Sequence, residues 1–382
     1  MQFGEDVETL VERLADATIL LKKAKSADER LALGHYIWCM YDALVATIGV
    51  PLNYSDKDIF GSVKNGKKYD KKTMIFRDRA LKNFFENRDY HKKMLGSIIN
   101  DLSGNLNFME DQYTCMKECL SKGEFFDIFS SFLKSLNLGK DFDKFIKNVG
   151  IYSFYGEVMP SAAGFILFNP VDKSVDVFSS NANYDVRTLS TLAHEFGHAY
   201  DYSKFDGDYI DFNKYLHRSF YTEVTSVLFE RLMIEYLINN DILINDAKDE
   251  LIAKNSNHYW MLIGGYIDSL LDYDMLKKNQ QDKYSSEYIY SLIKKNFNED
   301  IKSFLERIST LNVIHNHIYT YGDIISMIIK DNVDKYGFDN DMLLEMYDRR
   351  GEIFSPEFLD KNGVTPENYI KGYQKELKLL EK

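Results

Sequence analysis

Asp185-Val186-Arg187-Thr188-Leu189-Ser190-Thr191-Leu192-Ala193-His194-Glu195-Phe196-Gly197-His198-Ala199-Tyr200-Asp201 is the stretch from which the rest of the chain is read. Leu189, Leu192, Ala193, Phe196 and Ala199 recur at helical spacing and predict a helix with one apolar face. Positions i and i+4 lie about 40° apart on a helix, so His194 and His198 offer two imidazoles to one point. Glu195 lies about 100° round from His194, beside an ion held there and not on it. A base in that place can take a proton from water, which is the mechanism carried by the H-E-x-x-H pattern. Gly197 costs about 1 kcal/mol relative to alanine inside a helix. It predicts the close passage of another backbone, taken as a second metal-bearing helix.

That second helix is expected from Tyr221 to about Asn239. Glu223 and Glu230 are seven apart and share a face. The acidic pair can supply one ligand and one acceptor for the N–H of a ligand histidine. Zinc suits imidazole and carboxylate donors, and catalytic zinc keeps three protein ligands and one open position. The expected cofactor is therefore one Zn2+ per chain. Without a metal, the same spacing reads as histidines on an i, i+4 ion-pair face; Gly197 and the Glu223 helix favour the metal.

These residues resemble the thimet oligopeptidase and oligoendopeptidase F family of zinc metallopeptidases. The family pattern is H-E-x-G-H, then a glutamate opening a later helix in an E-[VI]-x-S-x-x-x-E context. Leu192 to His198 matches the first part, and Glu223-Val224-Thr225-Ser226 through Phe229-Glu230 the second. Four residues after Glu223 stands Val227, where the thermolysin branch has an aspartate. The resemblance implies His194, His198 and Glu223 as ligands and Glu195 as general base. Ser174-Val175-Asp176-Val177-Phe178-Ser179 alternates as a strand does. In the family such a strand is the edge on which extended peptide pairs, by β-augmentation.

Asn316-His317-Ile318-Tyr319-Thr320-Tyr321-Gly322 resembles the family's His-then-tyrosine segment. The resemblance implies that the Tyr319 and Tyr321 hydroxyls, with His315 or His317, stabilise the oxyanion. A phenol is a neutral donor at pH 7 and suits that work. Ile353 to Leu359 and Asn362-Gly363-Val364 resemble the family's tail, so the likeness runs from Gly150 to Lys382. The chain departs from the family in a shorter His-to-Tyr spacing, in Asp201 where a histidine is often found, and in a shorter N-terminal part.

The expected fold is mainly α: a large helical zincin-type metallopeptidase with a small β-sheet next to the metal helix. Residues 1–149 are expected to form an N-terminal helical lobe and 150–382 the catalytic domain. Ile151 to Tyr155, Phe165 to Phe168 and Val175 to Phe178 are the expected strands. No proline stands between Pro170 and Pro356, as a run of helices requires. Ser26 with Glu29 predicts a capping box.

The 382 residues carry a net charge of −12, which excludes the basic footprint needed by a nucleic-acid partner. The expected partner is a peptide substrate; the oligomeric state is not written in the sequence. Leu31 to Val50 is apolar but contains His35 and Asp42, so it is read as a buried helix rather than a membrane span. Cys39, Cys115 and Cys119 are too few and too uneven for a disulfide framework; Cys115 and Cys119 are read as reduced thiols on one helix. Met1-Gln2-Phe3-Gly4-Glu5-Asp6 lacks an apolar core, and a cytoplasmic location is expected. The function expected from all this is a zinc-dependent metalloendopeptidase. A lapsed peptide-binding relative, or a protease dedicated to one protein partner, is the alternative.

Overall fold

The computed structural model describes parts of 12–37, and then 86–103, 118–153, 164–169, 174–179, 183–203, 222–270, 316–336 and 355–382. Helix α1 spans Arg88–Ser103, α2 Lys122–Ser135 and α3 Lys140–Asn148. Strands β1 (Val149–Ser153), β2 (Gly164–Asn169) and β3 (Ser174–Ser179) follow. The remaining helices are α4 (Val186–Ser203), α5 (Thr222–Asn239), α6 (Ile244–Leu270), α7 (Asn316–Tyr336), α8 (Pro356–Lys361) and α9 (Pro366–Leu377). The fold is mainly α with a small sheet, as expected.

Local sequence explains where these helices start. Ser121 and Glu124 form a reciprocal capping box at α2. Asp185 accepts from the Thr188 N–H at 2.8 Å and caps α4. Ser355 and Thr365 cap α8 and α9, each with a proline in the first turn. The expected Ser26–Glu29 box is formed: the Glu29 N–H donates to Ser26 Oγ at 3.1 Å, and the Ser26 N–H donates to the Glu29 carboxylate at 3.4 Å.

Helix α5 is buried nearly all round and has no separate polar face, so its charged side chains are enclosed with the apolar ones. It packs against α4, α6 and α7 and forms the axis of the molecule. Phe129, Phe142, Phe196, Tyr200 and Phe229 make edge-on and tilted ring contacts between α2, α3, α4 and α5. Helix α1 buries Met94, Leu95, Ile98, Ile99 and Leu102 in the same core and packs on α6 and α9.

The sheet order is β1-β3-β2, with β3 parallel to β1 and antiparallel to β2. This corrects one expectation. The 174–179 strand is the centre of the sheet and not an edge, so its backbone is paired on both sides. Its Val175, Asp176, Val177 and Phe178 side chains are all buried. Alternation identified the strand, but pairing partners are set by distant segments. Asp176, polar on a buried strand, is held by the Arg30 guanidinium, whose Nε donates at 2.9 Å.

Cys119 is exposed and lies in the irregular stretch before α2, not on a helix; Cys39 and Cys115 fall outside the described residues. Most of 31–50 also falls outside them. Among the described residues no helix is long and apolar enough to cross a membrane.

Candidate metal centre

Helices α4 and α5 cross at Gly197. A Cβ there would lie 2.6 Å from Ser226 Cα and 2.6 Å from the Thr225 carbonyl oxygen. The glycine is what lets the two backbones touch, as its cost in mid-helix predicted. This contact sets Glu223, one turn ahead of Ser226, opposite the two histidines. Gly322 does the same from α7, where a Cβ would come within 2.7 Å of Glu223 Cβ.

His194 and His198 stand edge to face, ring centres 4.9 Å apart. Glu223 Oε2 lies 3.4 Å from His194 Nε2 and 3.8 Å from His198 Nε2. The donor atoms of the three residues lie within 4.8 Å of one another. A tetrahedral zinc with bonds near 2.0–2.1 Å separates its ligand atoms by about 3.3 Å. The observed spacings fit that ion with small adjustments. The same groups also perturb one another's protonation. Burial alone would depress His194, but hydrogen bonds and charge from Glu223 and Glu230 overcome it and raise its pKa to about 10. Burial also works against the Glu223 carboxylate, yet His198 and His194 hold it below its ordinary range. The cluster is built to hold positive charge.

Glu195 lies about 100° round α4 from His194, against β2. A Cβ on Gly164 would meet Glu195 Cγ at 2.5 Å, so the bare backbone of β2 makes the space the side chain occupies. Burial pushes the Glu195 carboxyl up to about 7, opposed by His194 and reinforced by Glu223 and Glu230. A carboxyl near neutrality can accept and return a proton at physiological pH.

The other expected site residues divide. Tyr319 joins the cluster: its hydroxyl bonds Glu223, and the charge of Glu223, then burial, then Glu195 keep it protonated well above its ordinary range. Tyr321 does not join it. Two residues further on, it lies about 200° around the helix. It is buried with its hydroxyl on His91 Nδ1. His91 itself is buried, edge to face with the Tyr321 ring. His317 begins the first turn of α7 with its side chain outside the described residues, as is all of His315.

Two groups escaped the sequence reading. Tyr202 stacks on His198 at 6.1 Å and lies within the charge field of Glu223, Glu195 and Tyr319. It sits four residues past His198, the same spacing that paired the histidines. Glu230 Oε2 lies 3.2 Å from His194 Nδ1, off the straight line of a hydrogen bond. This is the acceptor expected of the acidic pair. Lys254 of α6 donates to that same Glu230 oxygen at 3.0 Å, and nothing in the motif announced it.

The chain is similar to an oligoendopeptidase F homolog from Borreliella burgdorferi. The two are 27% identical over 211 residues, a match that covers 46% of this chain and 34% of the relative. The similarity thus reaches about a third of the relative's own length. No protein-family profile matches the chain, and no solved structure matches it.

Proposed function

We propose that this chain is a zinc-dependent metalloendopeptidase that hydrolyses peptide bonds in oligopeptides. The observation that carries the reading is the convergence of the donor atoms of His194, His198 and Glu223 within 4.8 Å of one another, with Glu195 packed on β2 and within the charge field of His194 and Glu223. The distant likeness to an oligoendopeptidase F homolog supports it.

Zinc held by these three residues would acidify a water and polarise the scissile carbonyl. Glu195 takes the proton of the attacking water and delivers it to the leaving amine. Its raised pKa suits both halves of that transfer. Tyr319 is a protonated phenol at the edge of the cluster; its single O–H, held by Glu223 in the resting site, would turn to the oxygen on which negative charge develops. Glu230, 3.2 Å from His194 Nδ1, would accept the Nδ1 proton once the two groups align, leaving the Nε2 lone pair free for the ion. The peptide runs along β2, which among the described residues pairs on one side only and carries Gly164 against Glu195.

The test is metal content by elemental analysis for wild type and His198→Ala side by side, followed by cleavage of a peptide library. About one zinc per chain, lost in the variant, is expected. A wild-type chain that holds no metal and takes up no added zinc would end this reading.

A further inference from the structure

Helix α6 carries Glu250, Lys254 and His258 at i, i+4 and i+8, a row of ionisable side chains on one face directed into the protein. Each reaches a different element. Glu250 accepts from Ser190 Oγ at 2.9 Å and pairs with Arg187 at 3.4 Å, both on α4 just ahead of His194. His258 Nδ1 lies 3.1 Å from Asp323 on α7. Lys254 stands between them, 3.0 Å from Glu230 Oε2 and 3.8 Å from Glu250 Oε1.

One carboxylate oxygen, Glu230 Oε2, is thus shared by the His194 imidazole on one side and the Lys254 ammonium on the other. His258 Nε2 stands 3.9 Å from the other Glu230 oxygen, beyond hydrogen-bond reach, so without Lys254 the glutamate keeps one close partner and regains freedom among its staggered rotamers. A second, charged donor behind it removes that freedom. We propose that Lys254 is a positioning residue of the metal centre, fixing Glu230 so that His194 holds its Nε2 toward the ion. The proposal rests on the reading of His194, His198 and Glu223 as zinc ligands.

A bare charge argument predicts the opposite sign, which makes the idea sharp. Lys254 is a cation near a cation site, and its removal lowers repulsion on the ion. Charge alone would therefore make zinc bind more tightly in Lys254→Met. Loss of positioning makes it bind more weakly.

Zinc affinity is measured on the full chain by competition with a chromogenic chelator, for wild type, K254M, K254R, E230Q and the K254M/E230Q double variant. We expect K254M to weaken binding on the order of ten- to a hundredfold, the usual effect of losing a partner behind a ligand. K254R, which keeps a donor behind Glu230, restores most of it. The double variant binds no more weakly than E230Q, because Lys254 acts through Glu230. Unchanged or tighter binding by K254M overturns the proposal, as does an additive double variant. If K254M does not fold, K254M/E250Q loses one charge of each sign relative to wild type, and its comparison with E250Q isolates the same lysine. Wild type that binds no zinc overturns the metal reading, and this proposal with it; wild type that binds zinc while K254M matches it overturns this proposal alone.

Discussion

Glu230 and Arg231 are neighbours on α5 and open onto two buried polar clusters. The Arg231 cluster is closed by protein alone. Its guanidinium bonds Asp323 and Glu376 and contacts His258, while Tyr369 donates to Asp323 at 2.6 Å and Lys330 pairs with Glu376 at 3.1 Å. Asp323 and Glu376 meet Arg231 and Lys330, and Lys330 reaches a third carboxylate, Glu235, at 2.6 Å. The Glu230 cluster is not closed. Glu195, Glu223, Glu230 and Glu250 outnumber Lys254 and Arg187 there, and, against burial, Glu223 and Glu230 raise the pKa of the His194 imidazole to about 10. Buried charge without a counter-charge is expensive. One cluster is therefore a brace that ties α5 to α7 and α9; the other carries the acidic excess that the proposed zinc ion would offset.

The clearest way to break that comparison is Glu195→Gln. Turnover should fall by up to about 10⁴-fold, the upper range for loss of a proton-transfer group, with zinc retained. Substantial peptide cleavage by this variant sinks the base assignment. Arg231→Met should act the other way. It strands Asp323 and Glu376, so stability should drop by roughly 3–5 kcal/mol in denaturant titration. A folded variant of unchanged midpoint would show that the brace is dispensable.

Acid sharpens the contrast next. Arg231, then Lys330, outweigh burial and hold the Glu376 carboxyl down at about 2, against an ordinary 4.5. A depressed carboxylate adds stability that is present above the unfolded value and is lost as pH falls from there through about 2. The gap corresponds to on the order of 3 kcal/mol. Unfolding midpoints between pH 5 and 2 should therefore drop less steeply in Glu376→Gln than in wild type. The two tyrosines give the finest division. Tyr319→Phe should lower kcat by about 10²-fold or more, as loss of one oxyanion donor does. Tyr321→Phe should leave kcat near wild type and cost about 1 kcal/mol of stability through its bond to His91. Equal kinetic losses would show that both hydroxyls serve the reaction.

Those tyrosines also show what was legible in the sequence. Helical phase alone separates 319 from 321, but a segment quoted as a motif hides its own periodicity. The histidine pair, Glu195 and the Gly197 crossing were readable because each depends on spacing within one helix. Tyr202, at i+4 from His198, was readable by the same rule and was passed over in a chain with 27 tyrosines. The three strands lie within a few residues of their expected positions, yet the central place of β3 depends on pairing between separated segments. Lys254 is further from view still. Its row with Glu250 and His258 is visible on α6, but only the packing of α6 against α5 turns an ordinary charged face into the support of Glu230.

The crossing at Gly197 carries a last consequence, for inheritance. The backbones of α4 and α5 meet where even a methyl group has no room. In a library that varies every position, 197 should therefore tolerate one amino acid only, although its residue binds nothing and reacts with nothing. Descendants of this chain can lose the base or a ligand and remain folded. A descendant that loses this glycine must rebuild the angle between two helices, so position 197 should outlast the chemistry it made room for.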